Sequence, residues 1–157
     1  MKKLLFIACL PIFLCMFQCE DSIDVYCEGS FYVKNVTDEA LEICFSDSIP
    51  DIRSYVVGPM DSVLLRFVTT ERIDGYPNFR MFLRTEAGGR CEKSLSVLKD
   101  GEPVRTWLLS EKDGGGRQFF DESFWRNYVR YDGNMPNIFT WVFDIGPEDI
   151  GAGASNE

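Results

Sequence analysis

Histidine is absent from the 157-residue chain. That absence removes a Ser-His-Asp triad, a Cys-His pair and any histidine-ligated metal centre. Positive charge is also scarce: 16 basic side chains face 25 acidic ones, a formal charge of −9. A nucleic-acid binder needs a basic footprint, so no nucleic-acid partner is expected. No Cys-x-x-Cys spacing occurs, so zinc is not expected either. No stretch reaches the roughly 18 consecutive apolar residues of a membrane-spanning helix. What is present is 45% apolar residues, enough to build one small core.

Lys2 and Lys3 precede an apolar run from Leu4 to Phe17 that Pro11 interrupts. A basic start before a short apolar stretch reads as a secretory signal over residues 1–18. The run ends at Phe17-Gln18-Cys19, and Glu20-Asp21-Ser22-Ile23-Asp24 follows. A cysteine at that edge looks like a lipoprotein signal, in which the cysteine becomes the first mature residue and carries the lipid. Gln18 departs from the small residue usual before that cysteine. Residues 19–29 then read as a lipidated cysteine and tether. Loss of residues 1–18 leaves 14 basic against 25 acidic side chains, a charge of −11. Such a surface repels anionic lipid, so the anchor must be the lipid itself.

Of the remaining cysteines, Cys27, Cys44 and Cys91 are left for an oxidising compartment. Three pairings are open. Parity puts Cys27 inward with Phe31, if that strand extends back through Gly29, and Cys44 outward beside Tyr32. Cys27–Cys91 is favoured, because it would tie the tether to the core and close a long loop.

Period-2 alternation marks strands at 30–35, 40–46, 53–57, 62–68, 78–84, 91–98, 104–109 and 137–145. Thr37-Asp38-Glu39 suggests a hairpin between the first two, with Val33 opposite Ile43, Phe31 opposite Phe45 and Lys34 opposite Glu42. Gly58-Pro59-Met60-Asp61 suggests a second hairpin, and Asp100-Gly101 a tight one. Pro103 demotes one strand of that pair to a sheet edge. Asp121 reads as a helix N-cap, with Phe120 and Trp125 at staple spacing, giving one short helix over 121–131. Residues 151–157 have little to bury and read as a disordered tail. The expected fold is mainly β: a single antiparallel sandwich, immunoglobulin-like or similar, over 30–150.

The whole pattern resembles the small secreted lipoproteins of Bacteroidales. The resemblance is carried by the loose lipid box, Phe31-Tyr32-Val33-Lys34-Asn35, Phe120-Asp121-Glu122-Ser123-Phe124-Trp125, and Phe143-Asp144-Ile145-Gly146-Pro147-Glu148-Asp149-Ile150. It implies secretion and a lipid anchor in the outer membrane, at the cell surface or the periplasmic face, and brings no activity. The acidic residues behind Cys19 resemble that group's surface-export signal, and read equally well as a solvated tether. Asp-Ser-aliphatic triplets at Ser22, Ser48 and Ser62 match its O-glycosylation sequon, and Asp-Ser is also common in turns.

Asp121 and Glu122 are adjacent, which is the wrong geometry for a glycosidase pair that flanks a sugar. Asp113-Gly114-Gly115-Gly116 lacks the Gly-Lys-Ser/Thr of a phosphate loop. No catalytic residue and no cofactor are therefore assigned. Trp125 and Trp141 read as core, while Tyr128 and Tyr131 are free to stack on a ligand. The expected function is a non-catalytic envelope module that binds a protein or glycan. The alternative is a hydrolase inhibitor acting through loop 113–117.

Overall fold

The computed structural model describes residues 26–48, 51–71, 74–84 and 92–151. Eight strands form two four-stranded sheets. The first sheet has the order β4 (Ser62–Glu71), β1 (Tyr26–Asn35), β8 (Met135–Ile145), β7 (Arg126–Asp132). The second has the order β3 (Asp51–Val57), β2 (Leu41–Ser48), β5 (Ser94–Lys99), β6 (Glu102–Leu108). This is a mainly β sandwich, as the alternation implies. It is mixed rather than wholly antiparallel, because β1 and β8 run parallel.

Inward residues of both sheets meet in one core. Phe31, Val33, Trp141 and Phe143 come from the first sheet, and Leu41, Ile43, Phe45, Leu95 and Trp107 from the second; all are buried. Trp107 packs edge-on to Phe143 across the gap, with ring centroids 5.5 Å apart. Trp141 stacks on Phe31 at 4.6 Å.

Two expected hairpins are not hairpins. β1 and β2 lie in different sheets, as do β3 and β4. Alternation fixes which side chains point to the core, and a sandwich and a hairpin give the same in-out pattern. Phe31 and Phe45 therefore line opposite walls of the core. The Lys34–Glu42 pair does not form: Lys34 lies opposite Ser62 and Asp144. The Asp100-Gly101 turn does join β5 to β6, with positive φ at both residues (53° and 82°) as a primed turn requires. Pro103 sits on β6, an edge strand.

Helix and strand exchange places at two sites. The strand expected over 78–84 is the short helix α1 (Phe79–Leu83), which buries Phe79 and Phe82 at i, i+3. So short an apolar run fits both periods. The helix expected over 121–131 is a single 3-10 turn at Glu122–Phe124 followed by strand β7. Asp121 does accept from the Ser123 amide at 2.9 Å. After Trp125, however, Asn-Tyr-Val-Arg-Tyr favours extended chain and pairs with β8. Trp125 is buried, as expected, but without a Phe120 staple. Its ring lies 5.0 Å from Phe119 and 5.3 Å from Phe82, and its indole N–H donates to the Phe119 carbonyl at 2.6 Å.

Cys27 is buried with a free thiol directed at the Pro136 carbonyl, and Cys44 is a second free thiol on the outer side of the second sheet. Cys91, the expected partner of Cys27, lies outside the described residues, as do Cys19, Ser22 and residues 1–18. Of the tail, only Gly151 is described.

Candidate functional site

The outer face of the first sheet is one of the two sheet surfaces that the core does not use. β1 alternates strictly, so Tyr26, Glu28, Ser30, Tyr32 and Lys34 point outward. Register brings Thr140 and Tyr128 beside Ser30, and Val142 and Arg126 beside Tyr32. On the other flank Phe67 lies opposite Ser30 and Leu64 opposite Tyr32. A bulge in β4 keeps this alignment, because Leu65 and Arg66 both turn inward while Leu64 and Phe67 stay exposed.

A depression of about 340 Å³ lies on this face, lined by Tyr32, Lys34, Ser62, Arg126, Tyr128, Thr140 and Val142. Its volume is at the small end of the range for ligand pockets. One cross-strand row runs Phe67–Ser30–Thr140–Tyr128. Phe67 is 52% and Tyr128 50% exposed. Three strand spacings separate the two rings, about 14 Å, with only small side chains between them. The row thus carries an aromatic ring at each end, and the depression takes in its Thr140 and Tyr128.

Polar groups of the depression are held in place. The Arg126 guanidinium donates to the Tyr128 hydroxyl at 2.7 Å and to Asp144 at 2.6 Å, and lies 5.7 Å from the Tyr128 ring centre. That arrangement fixes the Tyr128 ring without covering it. Flat aromatic faces beside hydroxyls, an ammonium and a guanidinium suit a ligand with an apolar face and a polar edge.

Tyr128 thus belongs to the depression. Tyr131 does not line it, although it is 60% exposed. Ser62 is exposed at the start of β4 and lines the depression, so the Asp61-Ser62-Val63 triplet and the site share a residue. Ser48 ends β2, and its side chain lies outside the described residues. Asp47 of the same triplet is already engaged, pairing with Lys93 and with Arg66.

Tyr32, Lys34, Arg126 and Thr140 were not singled out from the sequence. Outward parity marks Tyr32 and Lys34, but only the register of β8 and β7 shows what stands beside them.

Two other clusters carry less chemistry. Arg117 binds Glu148, Asp149 and the Asp144 carbonyl, over the Phe143 ring. Burial pushes the Asp149 carboxyl above its usual range, opposed by the Gly146 N–H and by Arg117. This ion cluster fastens the end of loop 113–117. The loop itself exposes Asp113 and three glycines, which offer little to fill an enzyme cleft. A second hollow holds Asp113, Asp121 and Glu122, but Arg80 and Lys112 share it. Among the described residues, no His/Cys/Asp/Glu group could hold a metal ion, and no helix is long and apolar enough to cross a membrane.

No family model, curated protein or solved structure matches the chain.

Proposed function

We propose that the protein is a secreted, non-catalytic module, anchored to the outer membrane by lipid on Cys19, that binds a glycan on the outer face of its first sheet. The observation that carries the binding reading is the depression lined by Tyr32, Tyr128 and the hydroxyls of Ser62 and Thr140, in a cross-strand row that ends on exposed Phe67. A pyranose has an apolar face to lay on a ring and a rim of hydroxyls to hydrogen-bond. Stacking on a single ring contributes about 0.5–1.5 kcal/mol beyond area burial in aromatic pairs. Two rings spaced across four strands favour an oligosaccharide over one sugar. A protein ligand would need an interface of roughly 800 Å² per partner, several times what the depression offers.

Binding is tested with the lipid-free mature chain on an oligosaccharide array. Tyr128→Ala is expected to weaken the captured glycan at least tenfold while the melting temperature stays unchanged, because Tyr128 is half exposed on an edge strand. Wild-type affinity in that variant would refute the reading.

The anchor is tested separately. Cys19→Ala is expected to abolish palmitate labelling and move the protein from the membrane to the soluble fraction. Continued labelling would place the lipid elsewhere.

A further inference from the structure

We infer that the glycan bound on this face is acidic, and that Lys34 holds its anionic group. This rests on the glycan reading above and goes on to the chemical class of the sugar. The chain carries a charge of −9, yet the depression is lined by two cations and no carboxylate. Asp144 sits opposite Lys34 in the β1–β8 register. Asp144 is bound to Arg126 at 2.6 Å and makes no ion pair with Lys34. Asp144 thus neutralises one of the two cations, and a net positive charge remains on Lys34, which has no counter-ion among the described residues.

A lone uncompensated ammonium in a strongly acidic protein raises the local concentration of anions at that one spot. Lys34 also sits two residues from Tyr32 on the same face, about 7 Å along the strand. A sugar lying on Tyr32 or Tyr128 can therefore present a carboxylate or sulfate to the ammonium while its ring stays stacked. Ser62 and Thr140 supply neutral partners for its hydroxyls. Neutral sugars gain the stacking and the hydroxyl contacts. Only acidic sugars add a charge-assisted hydrogen bond, about twice as strong as a neutral one.

The test titrates the lipid-free mature chain with a panel of hexuronate tetrasaccharides and with the methyl ester of each, which keeps the backbone and removes the charge. Acidic forms are expected to bind about tenfold tighter than their esters at low salt, and the ratio should approach one near 1 M salt, where the Debye length is about 3 Å. Lys34→Gln should weaken acid binding about tenfold at low salt and so bring the ratio to about one, while Lys34→Arg keeps the preference. Equal affinity for acid and ester in the wild type overturns the acid preference and leaves the glycan reading standing. Absence of binding by both forms overturns the two together.

Discussion

Asp47→Ala is expected to destabilise the domain by about 3–5 kcal/mol, the usual cost of removing one partner of a buried ion pair. The reason is Lys93, whose side chain is fully buried. Its ammonium donates to the Phe82 carbonyl at 2.9 Å and the Arg84 carbonyl at 2.8 Å, at the C-terminal end of α1. Asp47 supplies the counter-charge, shared with Arg66 at 3.1 Å. Without it, one fully buried cation and one nearly buried one lose the carboxylate they share. Thermal melting should fall by roughly 10–20 °C for a domain of this size. Asp47→Asn, which keeps an acceptor oxygen, should lose less. A change of a degree or two in Asp47→Ala would show that the cluster does not hold α1 to the sandwich. The experiment also separates two roles for the Asp47-Ser48-Ile49 triplet, because a glycosylation signal need not affect the melting of unmodified protein.

Asn35→Ala should cost about as much, by a different route. Asn35 is fully buried at the end of β1. Its amide donates to the carbonyls of Glu39 at 2.7 Å, Val57 at 3.0 Å and Gly58 at 3.2 Å. Its oxygen accepts from the Thr37 amide at 2.9 Å and the Thr37 hydroxyl at 2.6 Å. One side chain therefore ties together both crossings between the sheets, β1 to β2 and β3 to β4. Truncation strands several buried polar groups at about 1–1.5 kcal/mol each, a sum of roughly 3–5 kcal/mol. Asn35→Asp should be worse, since a carboxylate would face three carbonyl oxygens. A loss below about 1 kcal/mol in urea denaturation of Asn35→Ala would mean that water replaces the side chain.

Asn35 also marks where reading the sequence stops. Thr37-Asp38-Glu39 is recognisable as a turn, and Phe31, Val33, Ile43 and Phe45 are recognisable as inward-facing. Whether the chain turns back beside itself or crosses to the other sheet is decided by which backbone meets which. That depends on partners such as Ile145 and Asp61, far away in the chain, whose carbonyls receive the Val36 and Asn35 amides at 2.9 Å. The Asp100-Gly101 hairpin was legible because its turn chemistry is local. The exchange of helix and strand at α1 and β7 has the opposite cause: each segment is short and aromatic, and tertiary packing decides its state.

The site was legible only in fragments. Tyr128 was singled out as a free aromatic at a helix end, and it is exposed for another reason, because β7 is the edge of its sheet. Tyr131 was grouped with it as lying near the same expected helix end, and it does not line the depression. Lys34 was visible as an outward residue but was expected to meet Glu42, which lies in the other sheet. No local signal joins Lys34 to Arg126 or Ser30 to Thr140, because the parallel pairing of β1 with β8 spans nearly the whole domain.

The most direct measurement of the central claim is amide chemical-shift mapping of the isotope-labelled, lipid-free mature chain during titration with a captured oligosaccharide. Shifts are expected to saturate together at Ser30, Tyr32, Lys34, Ser62, Tyr128, Thr140 and Val142, with the second sheet unmoved. Shifts confined to loop 113–117, or to the outer face of the second sheet around Cys44 and Ser96, would contradict it.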